Sequence, residues 1–580
     1  MFGYEFVELD KAAKVARRQS LDESASIAQW SILPILALIQ LAFLAQWVIA
    51  RCAGETPRSP HPQPMTIGRN TWIVRTKATW TKFRWWADEP LRKGWFTSGE
   101  TLLAGIWTLW LLFLCVNKTG NADYLHLTKR FGIVAASQLP LHYLLAMRSA
   151  YSPIQLLTRL SYERVIAIHE LLGKIVTFIL ALHTGFYFNF FVQKGVLAKR
   201  IRDVDVITGS IGFVMFATMS TTALSVLRHW NYRVFYTTHI LLALIVVDVL
   251  IFHVSHIRVY VFEMFGAFLL LQLLRQALTR QYKGTIALIP GTDLVRVVIP
   301  LPTDKAACRF KPGQHVHLSR PLLGSVSLAS AFAMRYRTNP FTIASVPQKD
   351  RQIVLVARAL SGNTRHLAQI ARSLRSDGNS EKSVALPLTL EGPYGTAGSF
   401  PNFKEFDRVL LVAGGVGGTF TVPIFRSIVE SDSDSSAAPV RARVKFVWAV
   451  RRLAETKWAV SEEKGSPETG LKGLELYVTR SGTVEEHGGE DQQGLMEEFE
   501  LAEGETFNQQ DEHVKNHGWS VEHCRPDLAK VVEETFAGST GKVAILTCGP
   551  HEMIADVRRY VKIWVYRGRD VFWHAESFGL

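Results

Sequence analysis

Cysteine is scarce in this chain of 580 residues, and its five copies follow no recognisable spacing. An odd, scattered set makes no disulfide framework and no Cys-x-x-Cys metal pair; its members are Cys52, Cys115, Cys308, Cys524 and Cys548. The chain also lacks zinc-finger spacing, a basic repeat and an RNA-binding signature, so its net charge of +14 does not predict a nucleic-acid partner. Its first 25 residues are polar, which predicts no cleavable signal peptide.

Hydrophobic residues are abundant: they make up 48% of the chain, with 33 Phe and 15 Trp, although 20% of the residues are charged. This mixture predicts a membrane part joined to a soluble part. Apolar segments long enough to cross a bilayer as helices are confined to the first half of the chain. They lie near residues 27–50, 97–117, 131–148, 163–192, 207–227, 234–255 and 258–276.

Basic residues between these segments predict their orientation. Segment 51–96 carries nine Lys and Arg against three acids, and further basic groups lie near residues 148–164, 228–233 and 275–283. Positive charge marks cytoplasmic loops, and all four groups share that side if there are seven spans and an outside N-terminus. Loop 193–206 is the exception, because its basic residues would lie outside; they are Lys194, Lys199, Arg200 and Arg202.

Four histidines lie inside predicted spans, where an imidazole is expensive and usually functional. His169 and His183 are 14 residues apart in one span, and His239 and His253 are 14 apart in another. Such a step keeps two side chains within about 40° of one helix face and separates them by about 21 Å. Because one span lies between the two helices, they run in the same direction. The predicted levels are therefore His169 with His239, and His183 with His253.

Two pairs of imidazoles at two depths predict two haem groups, each held by one histidine from either helix. Four unrelated core histidines would not account for the matched spacing. A bare metal-transport path would need carboxylates or thiols beside the imidazoles, and these spans offer few. The histidines therefore predict a two-step electron path across the membrane.

The stretches SPIQLLTRLSYERVIAIHELLGK and YRVFYTTHILLALIVVDVLIFH resemble the haem helices of the ferric reductase and NADPH oxidase superfamily. The resemblance implies an α-helical transmembrane di-haem bundle followed by a cytosolic β-barrel FAD domain and an α/β NADPH-binding domain. The expected domains are 1–96, with one extra span and a basic loop; 97–276, the six-span haem domain; 283–400, the FAD barrel; and 405–580, the NADPH domain with an acidic insert at about 481–520.

Three motifs resemble the flavin barrel of ferredoxin–NADP reductase-like modules: KPGQHVHL (311–318), NPFTIAS (339–345) and SGNTRHL (361–367). The resemblance implies that Phe341 packs on the isoalloxazine ring and that Thr342 reaches toward its N5. Asn339 stands where the family usually has His or Arg, and Arg337 is the candidate replacement. The residues expected to bind cofactor here are His315, Asn339, Pro340, Phe341, Thr342, Gly362, Asn363, Thr364, Gly392 and Pro393.

The segment VLLVAGGVGGTFTVPI (409–424) predicts a buried strand, a glycine turn and a helix start, where a pyrophosphate can approach the backbone. With LTCGP (546–550) it resembles the family's nucleotide site, which implies that Cys548 lies beside the hydride path and that Arg451 meets the 2′-phosphate of NADPH. Phe578 is the expected cover of the flavin. The other expected contacts are Gly414, Gly415, Gly417, Gly418, Thr419, Gly549 and Pro550.

The resemblance implies that electrons pass from NADPH through FAD and two haem b groups to an acceptor outside. Equal spacing of both histidine pairs, the absence of an EF-hand loop and the extra first span favour a metalloreductase acting on Fe(III) chelates or Cu(II). A superoxide-generating NADPH oxidase is the alternative enzyme, and a haem-bearing transporter or channel is the non-enzyme alternative. The expected setting is the plasma membrane, with lipid contact and functional coupling to a metal uptake system. The basic side chains of loop 193–206 have two readings. They either extend along the membrane surface to keep their charges in water, or they produce a positive field that attracts anionic chelates.

Overall fold

A computed structural model describes residues 4–52, 71–91, 96–117, 123–149, 151–319, 339–360, 362–376, 385–395, 400–430, 443–459, 473–479, 519–539 and 541–576. The chain forms two compact units. The first comprises Met1–Ser59 and Trp86–Gln276, and the second comprises Pro60–Trp85 and Ala277–Leu580.

The first unit is helical. Its helices are α1 (Lys11–Trp30), α2 (Ile32–Cys52), α4 (Ser98–Val116), α5 (Tyr124–Ser137), α6 (Leu139–Leu145), α7 (Pro153–Thr158), α8 (Tyr162–Gln193), α9 (Leu197–Arg200), α10 (Val204–Thr222), α11 (Ser225–Trp230), α12 (Tyr232–His253) and α13 (Arg258–Leu278). Helix α3 (Thr71–Ala87) lies mostly in the second unit.

Six helical segments of the described chain are long and apolar enough to cross a membrane: Lys11–Val48, Ser98–Val116, Tyr162–Gln193, Val204–Thr222, Tyr232–His253 and Ser255–Leu278. A local capping motif marks the start of one of them. Thr97 and Glu100 form a reciprocal capping box at the start of α4. The 32 residues of α8 give it a length of about 48 Å, so it extends beyond the roughly 30 Å hydrocarbon core of a bilayer.

The segment predicted as a third span, 131–148, is divided between two helices. Pro140 occupies the first turn of α6, where its missing N–H is tolerated, and α5 ends just before it at Ser137. The intervening Gln138 is buried: its Nε2 donates to the carbonyl of Ala28, and its Oε1 accepts from Trp107 Nε1. The third predicted span is therefore a pair of short helices rather than one continuous helix, and six of the seven predicted spans are found as long apolar helices.

The second unit begins with an antiparallel barrel. Its strands are β1 (Thr279–Leu288), β2 (Leu294–Pro300), β3 (His315–Ser319), β4 (Asn339–Thr342), β5 (Gln352–Arg358) and β6 (Leu386–Tyr394). The order is β4-β3-β6-β1-β2-β5, and an antiparallel bridge from Ile343 to Leu355 joins the two ends. Helices α14 (Asp304–Cys308), α15 (Pro347–Asp350) and α16 (Gly362–Ser376) connect the strands.

A parallel sheet follows. Its strands are β7 (Arg408–Gly414), β8 (Val444–Val450), β9 (Leu474–Val478), β10 (Ser520–Glu522), β11 (Val543–Cys548) and β12 (Val571–Glu576), in the order β10-β9-β8-β7-β11-β12. Helices α17 (Gly418–Glu430), α18 (Leu528–Ala537) and α19 (His551–Tyr566) accompany them. The strand order reverses between β7 and β11, and a sheet of this kind binds ligands at the carboxyl ends of the strands beside that point.

Helix α3 packs on this sheet, although it precedes the second span in sequence. Trp85 is only 6% exposed, and its ring meets Trp573 of β12 edge-on at 5.6 Å. The guanidinium of Arg558 lies 4.5 Å from the Trp85 ring centroid and donates to the Trp85 carbonyl at 2.9 Å. The basic segment between the first two predicted spans therefore contributes a helix to the second unit.

The barrel and the parallel sheet are joined by a bidentate ion pair, which yields a test of stability. Arg426 donates through both Nη atoms to Asp350, at 2.9 and 2.8 Å, and the two side chains are 21% and 17% exposed. Asp350→Asn keeps the shape but removes the charge, so we expect it to destabilise the second unit by about 1.5–3 kcal/mol. Chemical unfolding of the purified chain measures this.

The matched control is Asp304→Asn. It breaks the ion pair of Asp304 with Arg351, whose side chains are 73% and 68% exposed. Solvent screens such a pair, and its loss should cost about 1 kcal/mol or less. Equal effects of the two variants would show that the Arg426 pair does not hold the two parts together.

Candidate functional site

The four predicted histidines lie in two pairs at two levels of the bundle: His169 is beside His239, and His183 is within electrostatic reach of His253. The rings of His169 on α8 and His239 on α12 have centroids 6.2 Å apart and planes inclined at 70°. Metal–imidazole bonds are about 2 Å long, so two rings on one iron have centroids about 6 Å apart. This pair thus has the separation that a haem iron requires. In the described residues, no group of three or more His, Cys, Asp and Glu side chains is arranged to hold a metal ion.

Backbone carbonyls fix the orientation of three of these rings. The Nδ1 atoms of His169, His183 and His253 lie 3.0, 2.8 and 2.6 Å from the carbonyl oxygens of His142, Thr128 and Asp205 respectively. A carbonyl only accepts, so each Nδ1 carries the proton and each Nε2 is left with its lone pair. That is the tautomer of a metal-bound histidine with a second-shell acceptor. The donor set therefore fits haem iron.

The backbone carbonyls that accept from the histidines have the same 14-residue spacing as the histidines themselves. Thr128 and His142 are 14 residues apart on α5 and α6, which lie antiparallel to α8. On α10, Asp205 and Met219 are also 14 apart, and the backbone of Met219 is within electrostatic reach of His239. The Nδ1 of His239 is nevertheless buried and makes no hydrogen bond with the described residues. Both outer rings therefore donate to a carbonyl with good hydrogen-bond geometry, whereas His239 approaches the Met219 backbone without reaching that geometry.

A glycine stands four positions after each of the two outer acceptors. A Cβ on Gly132 would lie 2.5 Å from Cε1 of His183, and one on Gly209 would lie 2.4 Å from Cε1 of His253. In a helix the side chain at i+4 stands over the turn that holds carbonyl i. Glycine therefore opens the carbonyls of Thr128 and Asp205 to an imidazole. At the inner level alanine takes this place after both His142 and Met219, as Ala146 and Ala223, and the His142 carbonyl still accepts from His169.

The residues expected to bind FAD lie on two neighbouring parts of the barrel. Strands β3 and β4 are antiparallel and place His315 opposite Thr342. Gly362, Asn363 and Thr364 form the first turn of α16, whose backbone amides suit a pyrophosphate. Their FAD contacts remain predictions.

Other expected FAD contacts are more constrained. Phe341 is only 6% exposed and packs in the barrel core, so a flavin could touch only a small part of its ring. Gly392 and Pro393 lie at the end of β6, where the Gly392 carbonyl accepts from Arg309 at 2.9 Å. Asn339 and Pro340 begin β4, and Arg337 lies outside the described residues.

The glycine turn lies at the reversal of the parallel sheet. Gly414 ends β7, Gly415 has φ +54°, and Gly418 begins α17, followed by the buried Thr419. A Cβ on Gly417 would lie 2.1 Å from the carbonyl oxygen of Cys548 at the end of β11. The turn can approach β11 so closely only because this residue is glycine.

The remaining predicted residues of this edge differ in accessibility. Arg451 follows β8 and is exposed, without an ion pair to any described residue. Cys548 is fully buried, and burial raises the pKa of its thiol well above the ordinary value, so the group stays protonated at neutral pH. Gly549 and Pro550 link β11 to α19. Phe578 lies outside the described residues.

Three family models match the chain in the same order as these parts. Residues 131–250 match the ferric reductase like transmembrane component, residues 279–398 an FAD-binding domain, and residues 406–562 the ferric reductase NAD binding domain. The chain belongs to the ferric reductase superfamily. The predicted fold class, a helical membrane bundle followed by an FAD-type barrel and an α/β nucleotide-binding domain, is confirmed.

Fungal proteins are among the relatives of this superfamily member. A probable metalloreductase AIM14 of Yarrowia lipolytica is 29% identical over 75% of this chain and 82% of its own length. A probable ferric reductase transmembrane component of Eremothecium gossypii is 26% identical over 65% of this chain and 55% of its own. The structure of a flavohemoglobin from Malassezia yamatoensis matches 77% of this chain and 96% of its own length, at 14% identity and a TM-score of 0.35.

Sequence reasoning found the four histidines but missed the groups that orient them. The acceptors are backbone carbonyls, which leave no trace in side-chain chemistry. The only sequence signal is a glycine four residues after Thr128 and after Asp205, and it has meaning only once the neighbouring helix is known.

The two glycines provide a direct test of the outer pair. Gly132→Ala and Gly209→Ala each place a methyl group against a histidine ring, which must then turn away. We expect haem content to fall from two to one per chain, with flavin content unchanged. Pyridine haemochrome and flavin assays on purified protein measure both.

Gly185→Ala is the control, because a Cβ at this position on α8 meets nothing within 4 Å. It should keep both haems. If Gly132→Ala and Gly209→Ala also keep both, close helix approach is not what positions His183 and His253.

Proposed function

We propose that this ferric reductase superfamily member transfers electrons across a membrane, from NADPH through FAD and two haem b groups to a metal acceptor. The observation that carries the proposal is the pair of imidazole levels on α8 and α12, with three of the four rings held in the ligand tautomer by backbone carbonyls. The acceptor is an Fe(III) chelate or Cu(II). The names of the fungal relatives, metalloreductase and ferric reductase, support this choice.

The chain's own residues position and orient the reactants. FAD, when bound, converts a two-electron hydride into single electrons, and haem relays them. Arg451 and the glycine turn after β7 hold the nucleotide at the edge of the sheet. The backbone of Cys548 packs against the turn, and its protonated thiol adds no charge there. His169 and His239 would hold the inner haem iron, and His183 and His253 the outer one.

The position of helix α3 supports the orientation. This helix packs on the nucleotide-binding sheet through Trp85, so part of the basic segment 51–96 belongs to the soluble unit. Both are cytosolic if basic loops face inward. The first span then begins outside, and His183 and His253 lie near the outer face. A plasma-membrane setting, lipid contact and coupling to a metal uptake system belong to the same proposal.

The outer loop 193–206 is less basic than a count of its cations suggests. Arg200 forms ion pairs with Asp203 and Asp205, and Lys194 lies 5.2 Å from the ring centroid of Phe6. Lys199 and Arg202 remain as the cations able to attract an anionic chelate by their field. The loop also contributes the Asp205 carbonyl that orients His253.

An assay of the electron acceptor distinguishes the metalloreductase from the oxidase. Purified protein with NADPH should reduce an Fe(III) chelate at the same rate with and without oxygen, because the chelate and not O₂ is the proposed acceptor. Absorbance of a ferrous chelator and a superoxide assay measure the two products. Superoxide formed at the same rate with and without chelated iron would favour the oxidase alternative.

The variant His183→Ala separates the electron path from the flavin reaction. It should lose the outer haem and chelate reduction, while NADPH still reduces the flavin. Full haem content in this variant would contradict the ligand assignment. Protein that binds neither flavin nor NADPH would revive the transporter alternative.

Donor specificity is tested at Arg451. A charge-assisted hydrogen bond to the 2′-phosphate contributes about 1.5–3 kcal/mol, and each 1.4 kcal/mol is about tenfold in affinity. Arg451→Ala should therefore raise the KM for NADPH roughly tenfold or more.

NADH provides the internal control, because it lacks the 2′-phosphate. Its KM should hardly change in Arg451→Ala. An equal rise for both nucleotides would mean that Arg451 acts on some other part of the cofactor.

A further inference from the structure

A fifth histidine of the bundle lies against the inner ligand pair. The ring of His142, on α6, stacks on that of His169 with centroids 4.0 Å apart and planes inclined by only 5°. Two reciprocal contacts join them: His142 Nε2 lies 3.1 Å from the His169 carbonyl, and His169 Nδ1 lies 3.0 Å from the His142 carbonyl. Each histidine therefore donates from its ring to the backbone of the other.

His142 docks on α8 in the way that the outer ligands dock on their neighbours. It donates to carbonyl 169, and the residue four positions later is Gly173, where a Cβ would lie 2.9 Å from His142 Nε2. The same arrangement joins His183 to Thr128 and Gly132. Because the backbone carbonyl of His169 can only accept a hydrogen bond, His142 Nε2 must carry the proton and donate it to that carbonyl. His142 is thereby placed as a support for the ligand, with His169 as the ligand itself.

The outer site has no such stacked ring in the described chain. His183 meets Tyr187 edge-on, with centroids 5.0 Å apart and planes inclined at 78°. At the outer level Thr128 is the equivalent of His142, because its carbonyl accepts from the ligand histidine. Its side-chain hydroxyl donates to the carbonyl of Tyr124. His142 is therefore specific to the inner level.

We propose that His142 is a positioning residue for the inner haem ligand: its stacked ring fixes the plane of the His169 imidazole. This inference rests on the haem ligation of the proposed function. One hydrogen bond at Nδ1 still lets an imidazole rock about that bond. A parallel ring at 4.0 Å prevents this, because rotation would drive one ring into the other. His169 is then held at 70° to His239.

The angle between two axial imidazoles has a spectroscopic signature. Planes near perpendicular leave two iron d orbitals close in energy, so ferric low-spin haem gives a strongly anisotropic electron paramagnetic resonance signal with a large maximum g value. Parallel planes separate those orbitals and reduce the anisotropy. Axial ligands and their supporting contacts are the protein's means of tuning a haem.

The experiment compares wild-type protein, His142→Ala and His142→Phe, each purified as the full chain with its haems. His142→Ala removes the stack but keeps the backbone carbonyl that accepts from His169. We expect its inner-haem signal to broaden and move to lower maximum g, and haem transfer to an acceptor apoprotein to become about 10–100-fold faster. His142→Phe restores a flat ring and should recover most of the signal and retention.

Thr128→Ala is the matched control at the outer level and should leave the inner-haem signal unchanged. An inner signal in His142→Ala identical to wild type, or His142→Phe no better than His142→Ala, would overturn the inference while two low-spin haems in the wild type still support the proposed function. If the wild type itself lacks two low-spin haems, the ligation fails and the role of His142 falls with it.

Discussion

The antiparallel register between each ligand helix and its neighbour is the constraint on which the bundle depends. An imidazole that carries its proton on Nδ1 can bind iron only through Nε2, and a carbonyl that accepts from Nδ1 holds the ring in that form. Fourteen residues are nearly four helical turns, so a face that matches at one level matches again at the next. One register, α8 against α5–α6, therefore sets the acceptors of both His169 and His183. The pair α10–α12 repeats this at His253.

Glycine allows close backbone approach in both structural units of the chain. In lipid, helices associate through van der Waals contact at small residues, and Gly132, Gly209 and Gly173 each admit a histidine ring. In the soluble unit Gly417 admits the Cys548 carbonyl. The barrel and the parallel sheet also share one apolar cluster, so the turn after β7 is held relative to α16. In both units a missing side chain lets a neighbouring ring or carbonyl approach the backbone closely.

The sequence allowed prediction of patterns that repeat within one helix or strand. It did not allow prediction of contacts between two distant segments. The spacing of His169 and His183, the glycine turn after β7 and the order of the parts are local patterns, and they were readable. Pro140 and His142 interrupt the third predicted span, and the structure breaks the helix there. The carbonyl acceptors and the packing of Trp85 on the nucleotide-binding sheet require knowing which distant segments are neighbours. No single-chain periodicity contains that information.

The two imidazole levels use the same ligand type and differ only in what surrounds it. At the outer level both Nδ1 atoms donate to carbonyls, which makes both imidazoles stronger electron donors. At the inner level His169 is hydrogen-bonded and stacked, whereas His239 makes no such bond with the described residues. Under the proposed ligation, any difference in reduction potential between the two haems must arise from these contacts, from the porphyrin surroundings and from depth in the membrane. Orientation and electronic tuning are thus carried by the same few hydrogen bonds, and a change in helix register would alter both together.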